Sequence, residues 1–295
     1  MKQSLSKKES ASSPKFKDLA KNILSSHNIE VSESNGDDTT AMLYQPSKLT
    51  FSNLPLTSSP DEDQSNYGNK LQLTGELFFN KEIIITKQGM INGLRKKNDG
   101  QTFFGLFNTK DYTGRFYNDL VINYNFKSRN TSSTGRVFDI SFQKKTNDYK
   151  LYMIHNSLVL YYQIDNLFYL ENNREYYIIL GKILATVVTR KNETKKVIDI
   201  NIEEDNEEEV CYTFTEDDSP ISIGRVGCDV EIQNGSISKK HAEIGFSSEN
   251  SVFYFKDLGS TNGSMAIIKE DDTLKLKGDM KFKMDEIPFR ILELP

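Results

Sequence analysis

From about residue 71 onward the chain breaks into short runs, β-branched or aromatic at first and alternating between apolar and polar residues nearer the C-terminus, and this constrains the fold more than any other feature. Near the C-terminus the runs are Asp229-Val230-Glu231-Ile232, Ala242-Glu243-Ile244-Gly245-Phe246 and Val252-Phe253-Tyr254-Phe255, with Gly, Asn or Ser between them. Successive side chains of a strand point to opposite faces, so such runs predict half-buried strands joined by tight turns. β-branched and aromatic runs precede them at 82–86, 102–106, 119–122, 136–142, 149–154, 158–164, 176–180 and 183–188. The spacing predicts an all-β protein with two β-sandwich domains in tandem, over 71–190 and 191–295. A chain of 295 residues can bury two cores. No repeat of 20 to 50 residues is present, which excludes solenoids and propellers.

Residues 1–70 are rich in Ser, Asn, Asp and Lys and poor in large apolar residues, so a disordered tail is expected there. Within it Phe16, Leu19, Ala20, Ile23 and Leu24 fall on one face of a short helix over 15–25, started by Pro14. That helix either docks into a partner's groove or leans on the protein's own folded part. Ser13-Pro14 and Ser59-Pro60 have the form of proline-directed kinase sites. A net charge of -5 argues against nucleic acid or an anionic membrane as a direct partner. Ten acids and no base lie between Asp199 and Asp218, a charge run that keeps an exposed strand edge soluble or draws a basic partner. Cys211 and Cys228 form neither a metal-ligand spacing nor a disulfide framework, as expected of an intracellular protein, nuclear or cytoplasmic. No membrane span or hydrophobic signal core is visible.

Three polar clusters separate the C-terminal strands: Gly224-Arg225, Ser238-Lys239-Lys240-His241, and Ser260-Thr261-Asn262-Gly263. Their order and spacing resemble a forkhead-associated (FHA) domain, a family that binds phosphothreonine in partner proteins. The resemblance implies that Arg225 and Ser238 contact phosphate and that Lys239 contacts phosphate or peptide backbone. It implies that Thr261 and Asn262 shape the pocket and hold the peptide main chain. Gly224, Gly263 and His241 would support the site, His241 by pinning one loop to the next. The residue chemistry agrees, since an arginine fork suits phosphate oxygens and a hydroxyl donates without adding charge. The segment 71–190 also resembles a diverged FHA-like domain, through Phe104-Gly105, Asn118 to Ile122 and Leu180-Gly181. Its phosphate residues are missing: Leu106 stands where Arg is expected, and His155-Asn156-Ser157 is no Thr-Asn-Gly loop.

The function expected is therefore a non-enzymatic, phosphothreonine-dependent adaptor with no cofactor and no metal. The alternative is a scaffold or complex subunit whose main interface is the N-terminal β domain. His241 lies near Ser238, Asp257 and Ser260, yet a catalytic triad is defined by geometry and no nucleophile elbow is present. His27 and His155 are isolated. Burial of the γ-methyl of threonine, worth roughly 0.8 kcal/mol, favours phosphothreonine over phosphoserine about fourfold. Residues 233–236 hold no Arg or Lys, so an acidic residue at the third position after the phosphothreonine is not expected to be required. Thr39, Thr40, Thr50 and Thr57 of the tail offer a route to self-association if one of them is phosphorylated.

Overall fold

The alternating runs become twenty-one strands in a computed structural model that describes residues 70–294, apart from 125–132, 155–157, 166, 193, 204–208 and 271. The helix expected over 15–25, the tail threonines, the Ser-Pro pairs, His27 and His155 all lie outside the described residues. The first eight strands are β1 (Lys70–Gly75), β2 (Ile83–Thr86), β3 (Gly89–Met90), β4 (Gln101–Gly105), β5 (Leu120–Val121), β6 (Arg136–Gln143), β7 (Asp148–Met153) and β8 (Leu160–Gln163). Then come β9 (Phe168–Leu170), β10 (Glu175–Leu180), β11 (Ile183–Lys191), β12 (Lys196–Glu203) and β13 (Glu209–Thr215). They are followed by β14 (Ile221–Gly224), β15 (Val230–Glu231), β16 (Ala242–Ser247), β17 (Val252–Asp257) and β18 (Ser264–Ile268). The last three are β19 (Thr273–Leu276), β20 (Asp279–Met284) and β21 (Ile287–Leu294). The all-β architecture expected from the alternation is the one observed.

One long sheet of eleven strands runs in the order β13-β12-β11-β10-β18-β8-β20-β21-β1-β2-β3. Two five-stranded sheets, β15-β14-β16-β17-β9 and β19-β7-β6-β4-β5, complete the fold. Strands β1 to β8 with β19 to β21 make up an N lobe, and β9 to β18 a C lobe. In the N lobe Phe104 and Phe138 of the β19-β7-β6-β4-β5 sheet stack at 4.5 Å, and Phe138 lies 6.3 Å from Phe289 of β21. In the C lobe Phe168 of β9 meets Tyr176 of β10 at 5.7 Å, and it lies 6.0 Å from Tyr162 of β8 across the junction. Each lobe is thus a sandwich, and aromatic pairs at these separations add about 0.5–1.5 kcal/mol beyond their burial. The buried aliphatic residues of both lobes form one continuous core.

The long sheet reads the same way outward from its junction, where β18 and β8 pair antiparallel with Ala266 opposite Tyr162. Outward from β18 come β10, β11, β12 and β13; outward from β8 come β20, β21, β1 and β2. The closing strands are therefore exchanged. β9, β10 and β11 precede the C lobe in sequence but bond to β17, β18 and β12. β19, β20 and β21 end the chain but bond to β7, β8 and β1 of the N lobe. The boundary expected at 190/191 falls at the end of β11, whose last pair sets Lys191 opposite Lys196 of β12 in the same sheet. Alternation dictates which face of a strand is buried, not which neighbour it bonds to.

Candidate functional site

Three loops meet at one rim of the C lobe, each delivered by a strand of the small sheet. β14 and β15 run parallel, and Gly224 closes their ladder by accepting from Ile232 N at 2.9 Å. A side chain at Gly224 has no room: its Cβ would lie 2.3 Å from Lys239 O and 2.8 Å from Cys228 Sγ. The backbone next bonds to the second loop, Arg225 N donating to Ser238 O at 3.0 Å and Val226 N to Lys239 O at 3.4 Å. Arg225 O accepts from the Gln233 amide at 3.2 Å. The Arg225 guanidinium pairs with no carboxylate among the described residues, and its side chain is half-buried.

The second and third loops are tied by hydroxyls and amides. Ser238 Oγ accepts from Thr261 N at 3.1 Å and lies 3.4 Å from Thr261 Oγ1. Asn262 Nδ2 donates to Ser236 O at 2.8 Å. Lys239, Lys240, Thr261 and Asn262 are exposed, and Gly263 adopts φ 73, a left-handed conformation that favours glycine. The eight residues singled out in the sequence are thus brought together.

His241 is fully buried beneath them. Its Nδ1 accepts from Ser238 N at 3.2 Å, so its Nε2 carries the proton and faces Gly263 O at 3.3 Å. Burial pushes its pKa below the ordinary value, against the opposing pull of Asp257 and the Gly263 carbonyl. A neutral ring clamping two loops is a structural arrangement. The nearest Ser238 contact is through backbone N–H, not through a hydroxyl awaiting a base.

Several supporting residues escaped sequence reasoning. Asp257 accepts from Gly259 N at 2.8 Å and Ser260 N at 2.7 Å, and from the hydroxyls of Ser260 and Ser264 at 2.8 and 2.5 Å. Burial opposes its ionisation, but these donors together hold its pKa below the usual carboxylate value. Asp with Gly and Ser two and three residues later is an Asx-turn signal that could have found it. Ser236 is a second hub, reached by Asn262 and also by the β10–β11 turn. Lys182 N donates to Ser236 Oγ at 3.1 Å, and Gly181 N to Gly263 O at 3.2 Å. Leu180-Gly181, one of the pairs through which 71–190 resembles an FHA-like domain, sits at the rim of the second lobe. No local signal could have placed it there.

The N lobe repeats this backbone arrangement with other side chains. β4 and β5 are parallel, Gly105 O accepts from Ile122 N at 2.9 Å, and Leu106 N donates to Gly135 O at 2.9 Å. Leu106 therefore holds the place of Arg225 and Gly135 that of Ser238. The Phe107 ring lies over Gly135, 3.0 Å from where a Cβ would project. Val137 takes the position of His241, its carbonyl accepting from Ile154 N as that of His241 accepts from Leu258 N.

Among the described residues no cluster of His, Cys, Asp or Glu could hold a metal ion, and no helix is long and apolar enough to cross a membrane. Compared with known families, residues 221–271, from β14 to just beyond β18, match the FHA domain. Domains of this family are phosphopeptide-binding interaction modules. No curated protein and no solved structure matches the chain.

Proposed function

Taking the FHA domain of residues 221–271 as premise, we propose that this protein is a phosphothreonine-dependent protein-binding adaptor without enzymatic activity. Arg225 and Ser238 grip the phosphate, Lys239 adds a flexible charge, and Thr261 and Asn262 hold the peptide main chain. The observation that carries this reading is the uncommitted guanidinium of Arg225. The charge of this partly exposed arginine is matched by no carboxylate among the described residues, while its backbone is fixed beside Ser238. A dianionic phosphate supplies the missing charge.

Calorimetric titration of wild type and Arg225→Ala with a phosphothreonine peptide selected from an array tests this. Loss of one side of a desolvated charge pair costs about 2–4 kcal/mol, a 30- to 1,000-fold rise in Kd. Partial exposure of Arg225 places the expected loss near the lower end. Equal affinities would sink the assignment. The thermal midpoint should barely move, because the guanidinium holds no other element in place.

The alternative is a scaffold whose constitutive interface is the N lobe, read here as a diverged FHA-like sandwich. Its favouring observation is the apolar rim, where Leu106 replaces Arg225 and Phe107 and Tyr112 are exposed. Pull-downs with and without phosphatase separate the readings, since a scaffold keeps its partners and an adaptor loses them.

A further inference from the structure

The exchanged strands bring to the phosphopeptide rim a cation that the matched segment does not contain. The rim loop 233–236 has neither Arg nor Lys. The turn between β10 and β11, Gly181-Lys182, fills that side. Gly181 N donates to Gly263 O at 3.2 Å and Lys182 N to Ser236 Oγ at 3.1 Å. Ser236 O accepts in turn from Asn262 Nδ2 at 2.8 Å. One residue, Ser236, thus links Lys182 to Asn262 through two hydrogen bonds. Its side chain is exposed and forms no ion pair with a described residue.

The fit of this turn is specific. Gly181 has φ 58, and a Cβ there would lie 2.5 Å from Ser236 O, so the backbone seats against the loop only with glycine. The matching turn of the other lobe, between β20 and β21, is Asp285-Glu286, with Asp285 N donating to Val159 O at 2.8 Å. Had each lobe been closed by the strands that follow it in sequence, two carboxylates would stand beside a site for a dianion. The exchange places Gly181-Lys182 there and sends Asp285-Glu286 to the rim that has no phosphate residues.

Resting on the phosphopeptide reading above, we infer that Lys182 is a specificity residue, selecting phosphothreonine peptides that carry an acidic side chain on the flank lying over the β10–β11 turn. A lysine on a solvent-exposed rim acts as a screened point charge, so its contribution is modest: about two- to fivefold in Kd for Asp over Ala at the selected position. Most of it appears in the association rate and fades with salt.

The test uses the full chain and phosphothreonine peptide libraries in which each flanking position is fixed in turn as Asp, Ala or Lys. Wild type should prefer Asp at one or two positions and disfavour Lys there. Lys182→Ala should lose that preference while keeping its dependence on phosphate, and Lys182→Glu should invert it. Lys81→Glu, an equal charge change on an exposed residue of the N lobe, should leave the preference as in wild type. Phosphate-dependent binding with a flank preference that is absent, or unchanged in Lys182→Glu, overturns this inference alone. Absence of any phosphothreonine binding in wild type overturns the proposed function, and this inference with it.

Discussion

Cutting the chain to 191–295 isolates what the sequence suggests is the second domain, and the strand exchange predicts that this piece does not fold. The cut removes β8 to β11, which supply both neighbours of β18 in the long sheet, a neighbour of β12, and the edge strand beside β17. With them go Leu170, Ile178, Leu180, Ile183 and Val187, each at most 5% exposed. At roughly 1.5–3 kcal/mol per fully buried side chain the loss is about 8–15 kcal/mol. Residual compactness of unfolded chains lowers this figure somewhat. The remainder still rivals the roughly 5–15 kcal/mol that holds a whole domain together. A piece spanning 158–268 keeps β8 to β18 and every strand of the C lobe, so it should unfold cooperatively. Far-UV circular dichroism on heating, with amide dispersion in an HSQC spectrum, reads both. A dispersed spectrum and a sharp transition from 191–295 would refute the reasoning, because that piece would then have closed on its own β19 to β21.

The pH dependence of stability should carry two opposite signatures. His241, its pKa lowered by burial, contributes fully above its unfolded value of about 6.5; stability falls as pH drops below that, by up to about 1.4 kcal/mol per unit until the folded pKa is reached. Thermal scans from about pH 5 to 7.5 should lose this slope in His241→Gln, and an unchanged slope would remove the neutral-ring assignment. Asp139 of β6 is buried with one oxygen lacking a hydrogen-bond partner, and desolvation raises its pKa to about 6 despite Arg136 and Arg95. The folded state holds that proton through a window where the unfolded chain releases it, so stability falls as pH rises from about 4 to 6. Asp139→Asn should be more stable at pH 7, by no more than about 3 kcal/mol, measured by denaturant midpoint. Gly181→Ala should cost about 1–3 kcal/mol and weaken phosphopeptide binding together, because a left-handed φ and a 2.5 Å approach to Ser236 O both oppose a side chain.

The pieces of this fold legible in the sequence are those set by local chemistry. Runs of β-branched, aromatic or alternating residues mark most of the strands, β1, β3, β9, β14 and β18 excepted, because the buried side of a pleat leaves its mark residue by residue. The rim was legible for another reason: the order and spacing of Gly224-Arg225, Ser238 to His241 and Ser260 to Gly263 resemble an FHA domain, and that resemblance implied that these residues meet. Pairing order was not legible. β10 satisfies the same alternation against β18, where Ile178 faces Ala266, as it would against a strand of the N lobe. Nothing in the run 175–180 distinguishes the two partners. Gly181-Lys182 was missed at the site for that reason alone, and Asp257 because its role is to order a turn rather than to face a ligand.

The two rims show how one backbone supports two chemistries. At the C lobe a polar ring nitrogen lies beneath the loops, Ser238 supplies a hydroxyl, and the Arg225 guanidinium pairs with no carboxylate among the described residues. At the N lobe Val137, Gly135 and Leu106 fill the same three places, and the Phe107 ring lies over the glycine. The bond between the first two loops of each rim is backbone to backbone, Arg225 N to Ser238 O in one and Leu106 N to Gly135 O in the other, and does not depend on the side chains that differ. The second and third loops of the C lobe are instead tied by side chains, through Ser238, His241 and Asn262. The main-chain bond therefore survives the exchange of Arg225 for Leu106, while the side-chain ties belong to the C lobe. The exchanged hairpins follow the same division, the lysine turn going to the rim that carries Arg225 and the acidic turn to the rim that carries Leu106.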